Sequence, residues 1–234
     1  MLVKKCMSKK VITVDAEDSM GRAVQLMKEN DISILPVMKN EKLVGVVTDR
    51  DIKKASASEA TTLEVHELMY LIARIKVKQI MTKDPITVPY NYTIEETAEI
   101  LMENNISGVP VVDDEGSVVG IITKNDLFKE LISLTGLRKR GVLFSCRIPD
   151  KPGSIKDIAD ILRKYGGRLA SILSTYDGVP EGSRDVYLRA YNLDRSKMDQ
   201  VIEEISETGT LFYVIDHREN KRQIFITEGM LEEE

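Results

Sequence analysis

Gly45-Val46-Val47-Thr48-Asp49-Arg50-Asp51 returns later in the chain as Gly120-Ile121-Ile122-Thr123-Lys124-Asn125-Asp126. Each residue of the second stretch stands 75 positions after its counterpart. Both read as the end of an apolar strand, a threonine, and the first turn of a helix that carries an aspartate. Working outward, the match extends upstream. Val3-Lys4, Met7, Ile12-Thr13-Val14, Asn30, Ile32-Ser33 and Pro36-Val37 reappear as Val77-Lys78, Met81, Ile86-Thr87-Val88, Asn104, Ile106-Ser107 and Pro110-Val111, here 74 positions on. The offset changes at Asp113-Asp114-Glu115-Gly116, an acidic turn with one residue inserted. A match this long marks a duplicated supersecondary unit whose two copies share a core.

Each copy reads strand, helix, hairpin, helix. The opening runs are Val11–Val14 and Ile86–Val88. In the second copy Thr93 precedes Glu96 by three positions, a capping-box spacing, and Ile94, Ala98, Leu101 and Met102 form one apolar face. In the first copy Met20, Val24 and Met27 take that role. Two apolar runs joined by Lys39-Asn40-Glu41-Lys42 predict the first hairpin, and Val109–Val112 with Val118–Ile122 the second. Between the copies, Val65, Leu68, Met69, Ile72 and Ile75 recur at helical spacing and predict a connecting helix with one buried stripe.

The pattern changes after Arg138-Lys139-Arg140-Gly141, read as a solvated linker. Val142, Phe144, Cys146 and Ile148 alternate as a half-buried strand does. A turn at Pro149–Ser154 leads into a helix with Ile155, Ile158, Ala159 and Leu162 on one face, closed by Gly166-Gly167. Two strands, a helix through Met198, Val201, Ile202 and Ile205, and a strand at Leu211–Ile215 follow. The order βαββαβ predicts helices on one antiparallel sheet. The expected organisation is therefore α+β and α/β, with copies at 1–57 and 77–135, a connecting helix at 58–76, a second fold at 141–217 and a solvated tail at 218–234.

Composition narrows the function classes. The chain has 234 residues, 42% hydrophobic and 30% charged, with a formal net charge of −5. That sum argues against a duplex nucleic-acid binder, which shows a basic face. Cys6 and Cys146 are far apart in sequence and have no histidine or cysteine close by, which suits reduced thiols in a cytoplasmic protein. No apolar run approaches the ~18 residues of a membrane span, and the N-terminus lacks an apolar signal region, so neither secretion nor a membrane partner is expected.

The repeated Thr-x-x-Asp turn is the strongest chemical signal. A hydroxyl at a strand end and a carboxylate one helical turn on can face the same cleft. A carboxylate accepts hydrogen bonds from both hydroxyls of a ribose, while a threonine hydroxyl and free helix-start N–H groups suit a phosphate. The same two residues also serve as a plain helix cap, and duplication preserves a cap as readily as a site.

With those residues in place, 3–133 resembles a tandem pair of CBS domains, a Bateman module. The Ile-Ser-x-x-Pro-Val strand start and the Thr-Asp-Arg-Asp turn carry the resemblance. It implies two repeats about a pseudo-twofold axis, with clefts that bind AMP, ADP, ATP or S-adenosylmethionine and no required cofactor. By position, Asp51 and Asp126 would hold ribose hydroxyls, and Thr48 and Thr123 would touch the ribose-phosphate region. Thr13-Val14, Thr87-Val88, Ser33–Pro36 (with Leu35) and Ser107–Pro110 (with Val109) would line the adenine and sugar pockets. Each cleft would combine the Thr/Asp pair of one repeat with strand residues of the other. Arg50 is a phosphate partner by its guanidinium geometry. Asn125 holds the matching place, with Lys124 beside it, so the two clefts are not equivalent.

Residues 141–216 resemble an ACT domain, on the element order and on Arg147-Ile148-Pro149-Asp150-Lys151-Pro152-Gly153-Ser154-Ile155. The resemblance implies a turn that lies at a dimer interface and binds an amino acid. Gly153 lets backbone approach a ligand, the helix start with Pro152 and Ser154 receives its carboxylate, and Asp150 meets its amino group. The alternative is a capping turn with nothing bound. The CBS–CBS–ACT order is similar to acetoin-utilization regulators, an analogy without chemistry.

Enzyme signatures are missing from the sequence. His66 and His217 have no partner at metal spacing, and no phosphate loop, dinucleotide turn or nucleophile elbow occurs. The expectation is a non-enzymatic, homodimeric ligand sensor with no metal. It senses an adenine nucleotide through the repeats, or alternatively an amino acid through the second fold.

Overall fold

The computed structural model describes residues 1–59 and 74–225. Of the connecting helix expected at 58–76, residues 60–73, with His66, lie outside the described residues. The chain forms two compact units that divide between Phe128 and Lys129.

In the first unit each copy builds a small sheet. The first copy runs α1 (Val3–Cys6), β1 (Val14–Asp15), α2 (Met20–Asn30), β2 (Ile34–Lys39), β3 (Lys42–Thr48) and α3 (Asp49–Glu59). The second runs α4 (Val77–Ile80), β4 (Thr82–Lys83), β5 (Val88–Pro89), α5 (Ile94–Glu103), β6 (Gly108–Val112), β7 (Val118–Thr123) and α6 (Lys124–Leu134), the last of which contains the division between the units. β1 and β5 are shorter than the expected strands and begin at their last residue. They pair parallel, Val14 with Val37 and Val88 with Val111. The hairpins are antiparallel, each with a register shift toward its turn, between Val37 and Met38 and between Val111 and Val112.

Local chemistry explains these elements. Asn40 and Glu41 both take positive φ, the geometry of a tight hairpin turn whose twist matches its strands. The residue inserted in the second copy widens its turn instead. There Asp113 Oδ1 accepts the Glu115 and Ser117 amides at 3.1 and 2.8 Å, and Gly116 takes positive φ. Helix α5 has the expected capping box: Glu96 N donates to Thr93 Oγ1 at 3.2 Å and Thr93 N to Glu96 Oε2 at 2.7 Å. Two residues assigned to apolar helix faces lie outward instead, Val24 at 38% and Met102 at 74% exposure. The buried stripes are Met20, Ala23 and Met27 in α2, and Ile94, Thr97 and Leu101 in α5.

The two cores exchange their opening segments. Val77 is buried in the first copy's cluster, with Val14, Leu35, Val37 and Val47. Val3 is buried in the second copy's cluster, with Val88, Leu101, Val111 and Ile122. β4 extends the first sheet by pairing with β3, and Ser8 bridges Ile121 in return. Gly45 and Gly120 permit this approach: a Cβ on Gly45 would lie 2.6 Å from Met81 Sδ, and one on Gly120 would strike Met7 Sδ.

The second unit holds β8 (Val142–Pro149), α7 (Ser154–Lys164), β9 (Arg168–Thr175), β10 (Ser183–Tyr191), α8 (Met198–Thr208), β11 (Thr210–Asp216) and β12 (Lys221–Ile224). The sheet order is β12-β11-β8-β10-β9, antiparallel throughout. Ile158 and Leu162 of α7 and Val201 and Ile205 of α8 pack with Phe144, Cys146, Val186 and Leu188. Helix α7 ends in a Schellman pair, Gly167 N to Leu162 O and Gly166 N to Arg163 O, both at 2.9 Å. The expected solvated tail begins as structure: Lys221–Ile224 pairs with Tyr213–Asp216 because β11 otherwise presents an unpaired edge. Residues 226–234 lie outside the described ones.

Candidate functional site

The two Thr-x-x-Asp turns fold alike. Thr48 N and Oγ1 donate to Asp51 Oδ2 at 2.9 and 2.6 Å, and Asp51 N donates back to Thr48 Oγ1 at 3.3 Å. For Thr123 and Asp126 the same bonds measure 3.0, 2.7 and 3.4 Å. Both pairs therefore cap the helices that follow, α3 and α6. Capping leaves Asp51 an acceptor, since Oδ1 has no hydrogen-bond donor among the described residues.

Asp51 also lines a cavity of 860 Å3, within the range of small-ligand pockets. From the first copy the walls take Ser33, Ile34, Val46 and Thr48 through Asp51, with Lys53. From the second they take Thr82, Asp84 to Ile86, Asn105 to Pro110, and Lys124. The cavity thus sets the Thr/Asp pair of one copy against strand and loop residues of the other. Its apolar wall, Ile34, Val46, Pro85, Ile86 and Val109, offers a surface for a flat ring, and Ser33, Ser107, Thr48 and Asp51 offer directional hydrogen bonds.

Of the residues singled out from the sequence, Ser33, Thr48, Arg50, Asp51, Ser107, Val109 and Pro110 meet in this cavity. Val14, Leu35 and Val88 do not: they are at most 2% exposed and belong to the cores, and Pro36 is also buried. Strand alternation explains Val14, Leu35 and Val88, because the side chain next to a cleft-facing residue points to the other face; it does not explain Pro36, two residues after Ile34. Thr13 and Thr87 instead border a separate groove between the two hairpin turns, with Asn40, Glu41, Glu115 and Ser117. Thr123, Asn125 and Asp126 are not among the residues that line the 860 Å3 cavity. Sequence reasoning missed Lys53, Thr82, Asp84, Pro85, Ile86 and Asn105 as wall residues. Asn105 carried a signal, since a polar residue just past a helix end takes positive φ, as Asp31 does in the first copy.

The turn at Asp150 in the second unit is a second polar constellation. Asp150 Oδ1 receives Tyr176 OH at 3.4 Å and lies 3.4 Å from Arg184 Nε. Gly153 caps α7 at φ +96° with no side-chain cap, and nothing stands within 4 Å of where its Cβ would be. Ser154 is turned inward, 5% exposed, with Oγ donating to Lys151 O at 3.1 Å. Pro152 and Gly153 are exposed.

Electrostatics elsewhere is structural. Burial, reinforced by Asp185, pushes the Cys146 thiol up to about 12, which makes it inert as a nucleophile. Burial also lowers His217, helped by Arg189 and Arg222. Among the described residues no group of three histidine, cysteine, aspartate or glutamate side chains could hold a metal. No described helix is long and apolar enough to cross a membrane.

Comparison with known proteins agrees with the duplicated architecture. The CBS domain family matches residues 3–58 and 77–133. A CBS domain-containing protein of Dictyostelium discoideum is 31% identical over 135 residues, 57% of this chain and 93% of that protein. The chain belongs to the family of CBS-domain proteins. An inosine-5′-monophosphate dehydrogenase of Methanocaldococcus jannaschii is 40% identical over 122 residues, 52% of this chain but only 22% of the enzyme's length. Among solved structures, the CBS domain pair of protein MJ0100, in complex with 5′-methylthioadenosine and S-adenosyl-L-methionine, is 33% identical. It covers 56% of this chain and 95% of its own, with a TM-score of 0.49.

Proposed function

We propose that this chain is a non-enzymatic regulatory protein that senses an adenine nucleotide, AMP, ADP, ATP or S-adenosylmethionine, in the cavity between its two copies. One observation carries the reading. Asp51, held by Thr48 through Oδ2, keeps Oδ1 for a ligand at the edge of a cavity with one apolar wall. A carboxylate fixed in this way suits the two vicinal hydroxyls of a ribose, and the wall formed by Ile34, Pro85 and Ile86 suits a purine. Because both copies contribute walls, a ligand with different affinity for two arrangements of the copies would shift the balance between them. A homodimer belongs to this reading.

Calorimetry of the full chain against AMP, ATP and S-adenosylmethionine tests it. The expected result is binding that Asp51→Ala weakens by roughly tenfold to a hundredfold, the worth of a hydrogen bond to a charged group. No binding of any of the three sinks the reading.

A second reading, amino-acid sensing by an ACT-like second unit, is favoured by one contact. Arg184 Nε is buried with no hydrogen-bond partner, 3.4 Å from Asp150 beside the open Gly153 turn. A zwitterion would meet a carboxylate for its ammonium group and a guanidinium for its carboxylate there. A panel of amino acids in the same calorimeter separates the two readings.

A further inference from the structure

The sheet of the second unit has two unlike faces. Helices α7 and α8 cover one, where Phe144, Cys146, Val186 and Leu188 are buried. Strand alternation turns Ser145 and Arg147 of β8, and Asp185, Tyr187 and Arg189 of β10, to the other. That face conceals polar groups. Ser145 is 0% and Arg189 5% exposed. Ser145 Oγ and Arg189 Nη1 are buried without a hydrogen-bond partner among the described residues, as is Nε2 of His217, just past β11.

Register brings these groups into one patch. Ser145 stands opposite Tyr187 in β10 and Tyr213 in β11, so Arg189 is its diagonal neighbour. Diagonal neighbours lie about 7–8 Å apart, within reach of a long side chain. Burial presses the Arg189 guanidinium down, with Tyr213 opposing it. Burial and then the Arg189 charge hold His217 below its usual value.

An arginine remains charged at ordinary pH, so its burial calls for an opposite charge. The neighbouring carboxylates are already engaged. Asp185 gives both oxygens to Arg147, at 2.8 and 3.1 Å. Asp216 stands opposite the buried Val142 on the helix-covered face and holds Arg195. Arg189 meets instead the carbonyl that follows α6. Its Nε donates to Thr135 O at 2.7 Å, and Ser171 Oγ donates to the same oxygen at 2.8 Å. The end of a helix offers about half an elementary charge, which offsets the guanidinium only in part. A water molecule satisfies a donor but brings no charge. An anion does both. A guanidinium N–H with a hydroxyl beside it suits an oxyanion, whose separate oxygens accept from both. Because both donors are covered within the chain, a small free anion fits there and the surface of another macromolecule does not.

We propose that Arg189 Nη1 and Ser145 Oγ form a buried site for one small oxyanion, a carboxylate or a phosphate-type group, on the helix-free face of the second unit's sheet. Since Arg189 also holds Thr135, the bound anion braces the turn that ends α6. The site shares no residue with the cavity between the copies or with the turn at Asp150.

Thermal melting of the full chain in chloride, acetate, sulfate and phosphate at one ionic strength tests the proposal, with amide hydrogen exchange to locate the effect. An oxyanion should raise the melting temperature of the second unit above its value in chloride, saturating as one site does. Exchange should slow in β8, in β10 and at Thr135. Acetate against phosphate distinguishes a carboxylate from a phosphoryl occupant. Sulfate and phosphate also stabilise proteins generally by exclusion from their surface, so the decisive quantity is the gain over Arg189→Met in the same salt. Arg189→Lys should weaken anion binding by roughly tenfold, because one ammonium cannot hold Thr135 and the oxyanion in the same geometry. Ser145→Ala separates a binding site from packing. In chloride it should melt at or above the natural chain, having lost an unpartnered buried hydroxyl, and in saturating oxyanion below it. A gain no larger than in chloride, a gain retained by folded Arg189→Met, or protection confined to the first unit overturns the proposal. So does a Ser145→Ala variant that loses the same stability in every salt.

Discussion

At Asp51 one carboxylate oxygen closes the start of α3 while the other remains available at a cavity. The capping and ligand readings of the Thr-x-x-Asp turn are thus compatible, since a carboxylate has acceptor sites enough for both. The sequence identified this residue but could not say which oxygen would be spent. A different carboxylate contributes to the acid stability of the second unit. Burial pushes Asp216 upward, but hydrogen bonds from Arg195 at 2.6 and 3.1 Å and from the Glu219 and Arg218 amides outweigh it and hold the group below the usual range. A carboxylate depressed by folding stabilises above its unfolded value, and that contribution disappears as pH falls through the folded value. Asp216→Asn should therefore be less stable than the natural chain at neutral pH and show a smaller further loss below about pH 4. Denaturant titrations at several pH values check this, and an unchanged slope below pH 4 would contradict it.

At the scale of elements, the helices were more legible than the strands. Thr93 and Glu96 announced the start of α5, and the reciprocal hydrogen bonds are present. Thr93→Ala should cost about 1 kcal/mol in denaturant unfolding, and Thr93→Ser much less, because the hydroxyl is what caps. A Thr93→Ala variant as stable as the natural chain would show that packing alone sets this helix. Periodicity erred by one residue where a methionine or valine stood at the edge of a stripe, as with Met102 and Val24. Exposure there depends on what packs against the helix, which no single helix encodes. β12 was not legible either. Lys-Arg-Gln-Ile has little strand character of its own, and its pairing is imposed by the free edge of β11.

For the whole molecule, the duplication predicted two copies with one shared core; the structure has two separate clusters instead, each containing a valine from the other copy. Val3 closes the second core and Val77 the first, both fully buried. The stability of one copy therefore depends on the opening segment of the other. Val3→Ala should destabilise the chain by about 2 kcal/mol, the loss of a buried valine's apolar contacts. Hydrogen exchange should quicken first in β6 and β7, in the second copy, although the substitution lies in the first. Quickening confined to β2 and β3 would refute this coupling. The amino-acid sequence by itself determined the duplication, the order of elements, the apolar positions that had to be buried and the polar turn repeated in both copies. These follow from local periodicity and residue type, which need no knowledge of neighbours. Only the tertiary structure decided that the opening segments are exchanged, that Val14, Leu35 and Val88 face the cores, and that Lys124 lines the cavity between the copies. Each of these depends on contacts between residues far apart in the chain, and those contacts are fixed when buried surface is shared between elements that local sequence treats as separate.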